Sequence, residues 1–293
     1  MDTHTELDQS LTRYLTYLSG RNISELTITA YRIDLSQFFN YIRENAVTVV
    51  LDHPGKITAS HISDFLSHQA GMGRSGVTRV RKLAAIREYL KYLVDVEKIL
   101  TSSPAEKIIR PKKERKQRVF LREDEYMRLL NASAGHSRDY AILQLFLQTG
   151  IRVAELVALT LSDVDLDGGT MLVNGKGNKQ RTIFLEKKAT QALRAYLAIR
   201  QTSLDQHIFL NYHGTGLSVQ GISDIVGKYR VLAGITKKFS CHSLRHTCAT
   251  YKVSKGYSPI DLQALLGHEK PETSFIYVHM ARDQRQLMMQ TSL

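Results

Sequence analysis

Residues 101–119 constrain the fold more than any other stretch, because they cannot continue regular structure from either side. Pro104 and Pro111 interrupt helices and strands, and Ser102 and Ser103 favour turns. The sequence therefore predicts two domains joined by a linker, and 293 residues are enough for two cores. The linker also carries a dense run of positive charge, made of Lys112, Lys113, Arg115, Lys116 and Arg118.

The first domain, residues 1–100, is predicted to be helical. Gly20, the Pro54-Gly55 pair and the glycines between 71 and 76 separate four segments with helical spacing of apolar residues. Ser24 is expected to cap the second helix. The residues expected to face the core are Leu7, Leu11, Tyr14, Leu15, Leu18, Ile28, Tyr31, Leu35, Phe38, Phe39, Ile42, Ile62, Phe65, Leu66, Val80, Leu83, Ile86, Leu90 and Leu93.

The second domain, residues 120–280, is predicted to be mainly α-helical with a small antiparallel β-sheet. Residues 170–173 and 182–185 flank a glycine-rich turn, a pattern typical of a β-hairpin. Helices are expected at residues 121–131, 187–200 and 218–233, at a short segment that begins at Arg152, and at a segment that begins at His242.

The most distinctive chemistry lies in residues 240–280. His242, Arg245 and His246 share one predicted helix, and Leu-Gly-His at 266–268 is followed nine residues later by Tyr277. A phenol has a pKa near ~10 and is a poor nucleophile at neutral pH. It becomes useful against a phosphate whose charge an arginine neutralises, with imidazoles to move protons. The set therefore predicts attack by a tyrosine on a phosphodiester.

Two simpler interpretations compete with that chemistry. His242 and His246 have the i, i+4 spacing of a zinc-binding HExxH motif, but Ser243 stands where the glutamate is required and Arg245 would repel the metal. Tyr277 by itself would more often be a half-buried core residue. The nucleophile hypothesis therefore depends on matching motifs elsewhere in the chain.

Those motifs are TGIRVAEL at residues 149–156 and GKGNKQR at residues 175–181. With HSLRHTCAT at 242–250, LGH at 266–268 and Tyr277, the chain resembles the tyrosine recombinase (phage integrase) family. That family's pattern is TGxRxxEL, GKGxKxR, HxLRHxxAT, LGH and a tyrosine nine residues later. The five pieces occur here in order and span most of the C-terminal half. The length and the N-terminal half look most like the small Xer-type recombinases and mobile-element resolvases of prokaryotes.

The resemblance implies a two-domain DNA clamp. It implies a SAM-like helical domain at 1–100 that binds core DNA, a basic linker at 101–119 that follows the phosphate backbone, and a catalytic domain at 120–280. It also implies that the tail, residues 281–293, docks on a neighbouring protomer. An apolar patch in that tail consists of Leu287, Met288 and Met289.

The resemblance also implies a role for each motif residue. Tyr277 attacks the phosphate, and Lys176 protonates the 5′ oxygen that leaves. Arg152, Arg245 and His268 bind the phosphate. His242 assists proton transfer from the phenol, and Glu155 orients Arg152. A phosphotyrosyl link conserves the energy of the bond, so no cofactor and no metal are expected, and the motifs include neither a P-loop nor a carboxylate cluster.

The formal net charge of +12 predicts a polyanionic partner. Basic residues on a helix face are also commonly exposed to solvent without binding anything. The residues that contact DNA are therefore harder to predict than the polyanionic nature of the partner. The expected DNA contacts are Thr27, Thr29, Arg32, Arg74, Arg79, Arg81, Lys82, Lys112, Lys113, Lys179 and Arg181.

The expected partners are double-stranded DNA with an inverted-repeat core site, a tetramer of the same chain, and a possible second recombinase or accessory protein. A polar N-terminus and the lack of a long apolar run predict neither a signal peptide nor a membrane segment, and two cysteines fit a reducing cytoplasm. Three alternatives stay open. They are a type IB topoisomerase-like enzyme, a catalytically silent DNA-binding protein and a hydrolytic nuclease.

Overall fold

The structure is a computed structural model that describes residues 5–45, 52–112, 114, 118–175, 179–267 and 277. The chain divides into two compact units, Met1–Lys116 and Gln117–Leu293, called here the N-terminal and C-terminal units. The division falls within the stretch that the sequence marks as a linker, near its C-terminal end. The expected fold class, mainly α-helical with a small antiparallel sheet in the second domain, is confirmed.

The described part of the N-terminal unit contains four α-helices and one short 3-10 turn, Pro54–Lys56. Each α-helix begins after a serine or threonine whose hydroxyl accepts a backbone N–H, which satisfies one of the unpaired donors of the first turn. The predicted cap, Ser24, accepts the N–H of Thr27 at 3.3 Å. The helices are α1 (Glu6–Gly20), α2 (Glu25–Glu44), α3 (Ala59–Gly71) and α4 (Gly76–Asp95).

An aromatic cluster forms the centre of this unit. The rings of Tyr14 and Tyr89 meet edge to face at 5.4 Å, and Phe39 packs on Tyr89 at the same distance. The Tyr89 hydroxyl also pairs with the buried hydroxyl of Ser10 at 2.9 Å. All the residues predicted to face the core are buried except Tyr31, which is half-buried.

A buried charge cluster connects α2 to α4. Asp34 is fully buried and accepts a hydrogen bond from the Lys82 ammonium at 3.1 Å and another from Arg81. Lys82 also donates to Gln37, and only 3% of the residue is exposed. Lys82 therefore holds the two helices together, and the expectation that it contacts DNA does not fit its burial. Arg81 keeps about half of its side chain exposed, at 49%.

Replacing Asp34 by asparagine is expected to destabilise the N-terminal unit by about 3 kcal/mol, because Lys82 would keep its buried charge without a counter-ion. Hydrogen exchange of peptides from α2 and α4 measures this loss. Asp52→Asn is the matched control, since Asp52 pairs with Lys56 on the surface and such pairs contribute at most ~1 kcal/mol. Equal exchange in the two variants would contradict the structural role of the Asp34 cluster.

The described part of the C-terminal unit contains α-helices and a three-stranded antiparallel sheet of order β1-β2-β3. The predicted hairpin is confirmed, with Thr170 opposite Phe184 and Asn174 opposite Gln180. The elements are α5 (Glu123–Ser133), α6 (Ser137–Thr149), α7 (Val153–Ala158), β1 (Val164–Asp165), β2 (Thr170–Asn174), β3 (Gln180–Phe184), α8 (Lys187–Ile199), α9 (Val219–Leu232), α10 (Cys241–Ser254) and α11 (Pro259–Leu266).

The buried helix α6 ends at Gly150, and this end fixes the neighbourhood of the site. Gly150 has φ of 62°, the left-handed conformation that favours glycine at the end of a helix. A Cβ at this position would lie 2.5 Å from a methyl carbon of Leu266 and 3.6 Å from Cγ of Arg245. The absence of a side chain therefore lets α10 and α11 approach the end of α6.

Candidate active site

The described motif residues converge through hydrogen bonds that join five pieces of the chain. Arg152 donates to the carbonyl of Gly267 at 3.0 Å, which joins the start of α7 to the end of α11. Arg245 on α10 joins the ends of α6 and α11, and His246 on α10 binds Tyr277. The predicted residues Lys176 and His268 lie outside the described residues.

Arg152 is the residue immediately before α7, and Glu155 one turn later fixes it twice. The Arg152 backbone N–H donates to one Glu155 oxygen at 2.9 Å, and its guanidinium donates to the other at 2.6 Å. The Arg152 side chain remains 39% exposed, so part of its guanidinium faces solvent. This combination holds an arginine in place without covering it.

Arg181 on β3 grips the same carboxylate in a bidentate pair, at 2.9 and 2.8 Å. Its Nε also donates to the carbonyl of Leu265 at 3.3 Å. With only 13% of its side chain exposed, Arg181 ties the hairpin to α7 and α11. The sequence analysis expects Arg181 to contact DNA, but support of the site fits this geometry better than a phosphate contact does.

The charge state of Glu155 follows from these contacts. Burial raises the pKa of the Glu155 carboxyl, but hydrogen bonds from Arg181 and from the Arg152 backbone, together with the Arg181 charge, outweigh burial and hold that pKa at about 2. Glu155 is therefore a carboxylate at any physiological pH. Its negative charge offsets part of the repulsion between the two guanidinium groups that it binds.

Arg245 is almost completely buried, with 2% of its surface exposed. It donates to the Gly150 carbonyl at 2.5 Å and to the Leu266 carbonyl at 2.6 Å. These carbonyls lie at the C-terminal ends of α6 and α11, where helix dipoles carry partial negative charge. Burial, and then the nearby Arg152 charge, lower the pKa of Arg245 to about 10, so the guanidinium still keeps its proton at neutral pH.

Tyr277 is 1% exposed, and its hydroxyl lies 2.9 Å from Nδ1 of His246. The sequence assigned the phenol proton to His242, but the hydrogen bond belongs to His246. His242 is exposed, and its ring meets the His246 ring edge to face at 4.4 Å. The i, i+4 spacing correctly places both imidazoles on one helix face, and the position of Tyr277 decides which of them it meets.

Arg118, at the end of the basic linker stretch, is a further site residue that the sequence did not single out. Its charge acts on both Tyr277 and His242. Burial raises the pKa of the Tyr277 phenol, while Arg245 and Arg118 oppose that rise. Partial desolvation lowers the pKa of His242, and the charges of Arg245, Arg118 and Arg152 lower it further.

The residues expected to contact DNA differ in how far they are exposed to solvent. Thr27 is half-buried beside the cap residue Ser24, and Arg79 is also half-buried. Lys82 is buried as described above, and Lys113 lies outside the described residues. The exposed candidates are Thr29, Arg32, Arg74, Arg81, Lys112 and Lys179.

Among the residues that the structure describes, no cluster of three or more histidine, cysteine, aspartate or glutamate side chains could hold a metal ion. None of their helices has the length and apolar character needed to cross a membrane.

Comparison with known proteins identifies the family. Residues 119–284 match the phage integrase family, and residues 11–97 match the phage integrase N-terminal SAM-like domain. The tyrosine recombinase XerC of Thermodesulfovibrio yellowstonii is 35% identical over 283 residues, which cover 92% of this chain and 91% of the relative. The tyrosine recombinase XerD of Oceanobacillus iheyensis is 32% identical, covering 92% of this chain and 93% of the relative.

Solved structures of recombinases share the fold of this chain. The XerA recombinase superposes with a TM-score of 0.55 at 27% identity, covering 97% of this chain and 98% of that chain. A post-cleavage complex of the XerH recombinase with a palindromic difH substrate superposes with a TM-score of 0.77 at 22% identity, covering 100% of this chain and 91% of that chain. The chain belongs to the phage integrase family of tyrosine recombinases and is a site-specific DNA recombinase.

Replacing Glu155 by glutamine is expected to lower the free energy of unfolding of the C-terminal unit by about 3 kcal/mol at pH 7, because the folded-state pKa lies well below the ordinary value. A depressed pKa stabilises the fold above the unfolded value of 4.5, and that contribution disappears as pH falls through about 2. Urea unfolding should therefore show a smaller difference between wild type and variant at pH 3 than at pH 7.

The matched control for this prediction is Glu123→Gln, which changes an exposed glutamate at the start of α5. We expect that variant to differ from wild type by less than ~1 kcal/mol at both pH values. A loss in Glu155→Gln that did not change with pH would show that shape, rather than charge, holds the two arginines.

Proposed function

We propose that this recombinase cleaves duplex DNA by attack of Tyr277 on a scissile phosphate. The products are a 3′-phosphotyrosyl link and a free 5′-hydroxyl, and the 5′-hydroxyl of a partner strand then attacks the link to exchange strands. The observation that carries this proposal is the convergence of the motif residues at the end of α11. Arg152 and Arg245 bind the carbonyls of Gly267 and Leu266, His246 binds the Tyr277 hydroxyl, and the His242 ring packs on His246. The XerH structures, which are pre- and post-cleavage complexes with difH, are consistent with it.

The arginines supply charge stabilisation, which together with positioning accounts for most of the catalysis of phosphoryl transfer by proteins. A guanidinium has five N–H donors, and the two carbonyl bonds described for Arg245 leave others for phosphate oxygens. Arg152, whose guanidinium is partly exposed, binds the phosphate from the solvent side of the site. We assign His268 and the exposed His242 as donors to the same phosphate, and Lys176 as the acid that protonates the leaving 5′ oxygen.

Replacing Tyr277 by phenylalanine is expected to abolish covalent DNA cleavage and leave DNA affinity unchanged, because only the attacking oxygen is removed. The measurement uses nicked suicide duplexes with EDTA present and a denaturing gel that detects the protein–DNA adduct. An adduct formed by Tyr277→Phe would remove the tyrosine from the role. Cleavage that needed Mg²⁺ and left no adduct would favour a hydrolytic nuclease.

The same assay separates recombination from topoisomerase activity. Relaxation of supercoils by single protomers at random sites would favour a type IB topoisomerase-like enzyme. Adducts confined to one inverted-repeat site would favour the recombinase. DNA binding without any adduct from the unchanged protein would favour a catalytically silent DNA-binding protein.

We further propose that four protomers act together on two DNA sites in the cytoplasm. A lambda integrase tetramer bound to a Holliday junction has a TM-score of 0.75 with this chain at 21% identity. The tail is the segment that we assign to contact between protomers, because Leu287, Met288 and Met289 form an apolar patch among polar neighbours. A second recombinase or an accessory protein could occupy the same ring.

Replacing Leu287 by aspartate is expected to remove the tetramer on DNA, because the apolar patch would carry a charge into the contact between protomers. Binding of one protomer to a half-site should not change. The matched control is Gln290→Asp, which adds the same charge outside the patch and should still form tetramers. Native gels and sedimentation of the DNA complexes measure both properties, and equal assembly by the two variants would remove the apolar patch from this role.

A further inference from the structure

The contact that the expected mechanism did not include is the hydrogen bond between Tyr277 and His246. Oη of Tyr277 and Nδ1 of His246 lie 2.9 Å apart, and both residues are buried. A phenol at neutral pH carries its proton, whereas a neutral imidazole with its proton on Nε2 has an acceptor at Nδ1. The phenol therefore donates to Nδ1 when the imidazole has that tautomer.

Packing fixes both partners of this bond. Tyr277 belongs to a small apolar cluster with Ala249, Leu262 and Leu266, which contains side chains from α10 and α11. His246 is 6% exposed and has the His242 ring against its own. Because both groups are buried and held by packing, their hydrogen bond is a fixed feature of the site. A contact between exposed side chains would form and break freely.

Two cations near the bond partly offset the cost of forming a phenolate at a buried position. Burial raises the pKa of the Tyr277 phenol, and the charges of Arg245 and Arg118 oppose that rise. A phenolate formed here is thus stabilised by cations from α10 and from the stretch that precedes α5. An acceptor that already contacts the phenol oxygen completes the arrangement that an attacking tyrosine needs.

We propose that His246 is a catalytic base, in addition to the residues assigned above. As Oη forms its bond to phosphorus, the O–H bond breaks and the proton moves to Nδ1 of His246. The P–O5′ bond breaks, and the 5′ oxygen leaves with a proton from Lys176. In the second step the 5′-hydroxyl attacks phosphorus and gives its proton to Lys176, the bond between phosphorus and Oη of Tyr277 breaks, and the protonated His246 returns the proton to the departing phenol.

This inference rests on the proposed function, because it requires Tyr277 to be the nucleophile. The test replaces His246 by asparagine, which keeps a hydrogen-bonding atom near Nδ1 but is not a base. We expect adduct formation on a suicide duplex to slow by about 100-fold, within the usual range for loss of a general base. DNA affinity should stay within about twofold of wild type, because the phosphate-binding arginines are unchanged.

A second substitution separates a base from a residue that only positions the phenol. Incorporation of 3,5-difluorotyrosine at position 277 makes the phenol more acidic, so that its proton leaves with less help. If His246 is a base, the rate ratio between wild type and His246→Asn should shrink by about tenfold with the fluorinated phenol. His242→Asn is the matched control, because it makes the same change one helical turn away and its defect should not shrink.

The outcomes distinguish the two proposals. If the unchanged protein forms no adduct that depends on Tyr277, the proposed function is wrong and this inference falls with it. If the protein forms the adduct and His246→Asn forms it equally fast, only the role of His246 is wrong. A defect of the same size with either phenol would also overturn the base and leave His246 as a positioning residue.

A measurement on the unchanged protein tests the inference even if His246→Asn does not fold. Nitrogen NMR of protein with labelled histidine reports which ring nitrogen of His246 carries the proton. We expect Nδ1 to be unprotonated at neutral pH in the free protein. A proton on Nδ1 would overturn the inference, because that atom could not then accept the phenol proton.

Discussion

The structure of the site depends on Arg245 and the two carbonyls that it binds. Gly150 and Leu266 lie at the C-terminal ends of α6 and α11, and the guanidinium on α10 bridges them. A buried cation without such partners would cost several kcal/mol. The left-handed glycine at the end of α6 permits this approach, since a side chain there would meet Leu266. The same contacts that keep Arg245 charged therefore set the distance between three helices.

Several arginines lie close to this bridge and repel one another. The carboxylate of Glu155 offsets part of that repulsion when no DNA is bound. Arg152 and Arg181 both bind its carboxylate, which remains ionised because its pKa is about 2. Arg152 is left partly exposed on one side, where a phosphate can add a second anionic partner. The site thus separates two tasks. Arg181 supports the carboxylate from the hairpin, and Arg152 is free to turn its remaining donors outward.

The family resemblance implied that the motifs converge. Sequence spacing predicted most of the helices and the hairpin, because periodic burial and turn chemistry are local properties. It did not predict two features that depend on distant residues. In the sequence, Lys82 is one of several cations on a basic helix. In the structure it is buried and binds Asp34, which lies on another helix. His242 and His246 occupy one helix face, and nothing in their spacing tells which of them Tyr277 meets. Helix α6, the short strand β1 and helix α11 were also not predicted, although Ser258 and Pro259 form a typical start for α11.

The burial of Tyr277 limits how the reaction can begin. A phenol that is 1% exposed cannot touch a DNA phosphate, so DNA binding or assembly must uncover its oxygen before attack. Two kinds of movement would do this. If the phenol swings out, it loses His246 and must find another base, whereas if the residues that cover it move, the bond to Nδ1 survives. Because His246 is the next residue after Arg245 on α10, the second movement keeps the nucleophile beside the arginine that binds its target, and we favour it for that reason.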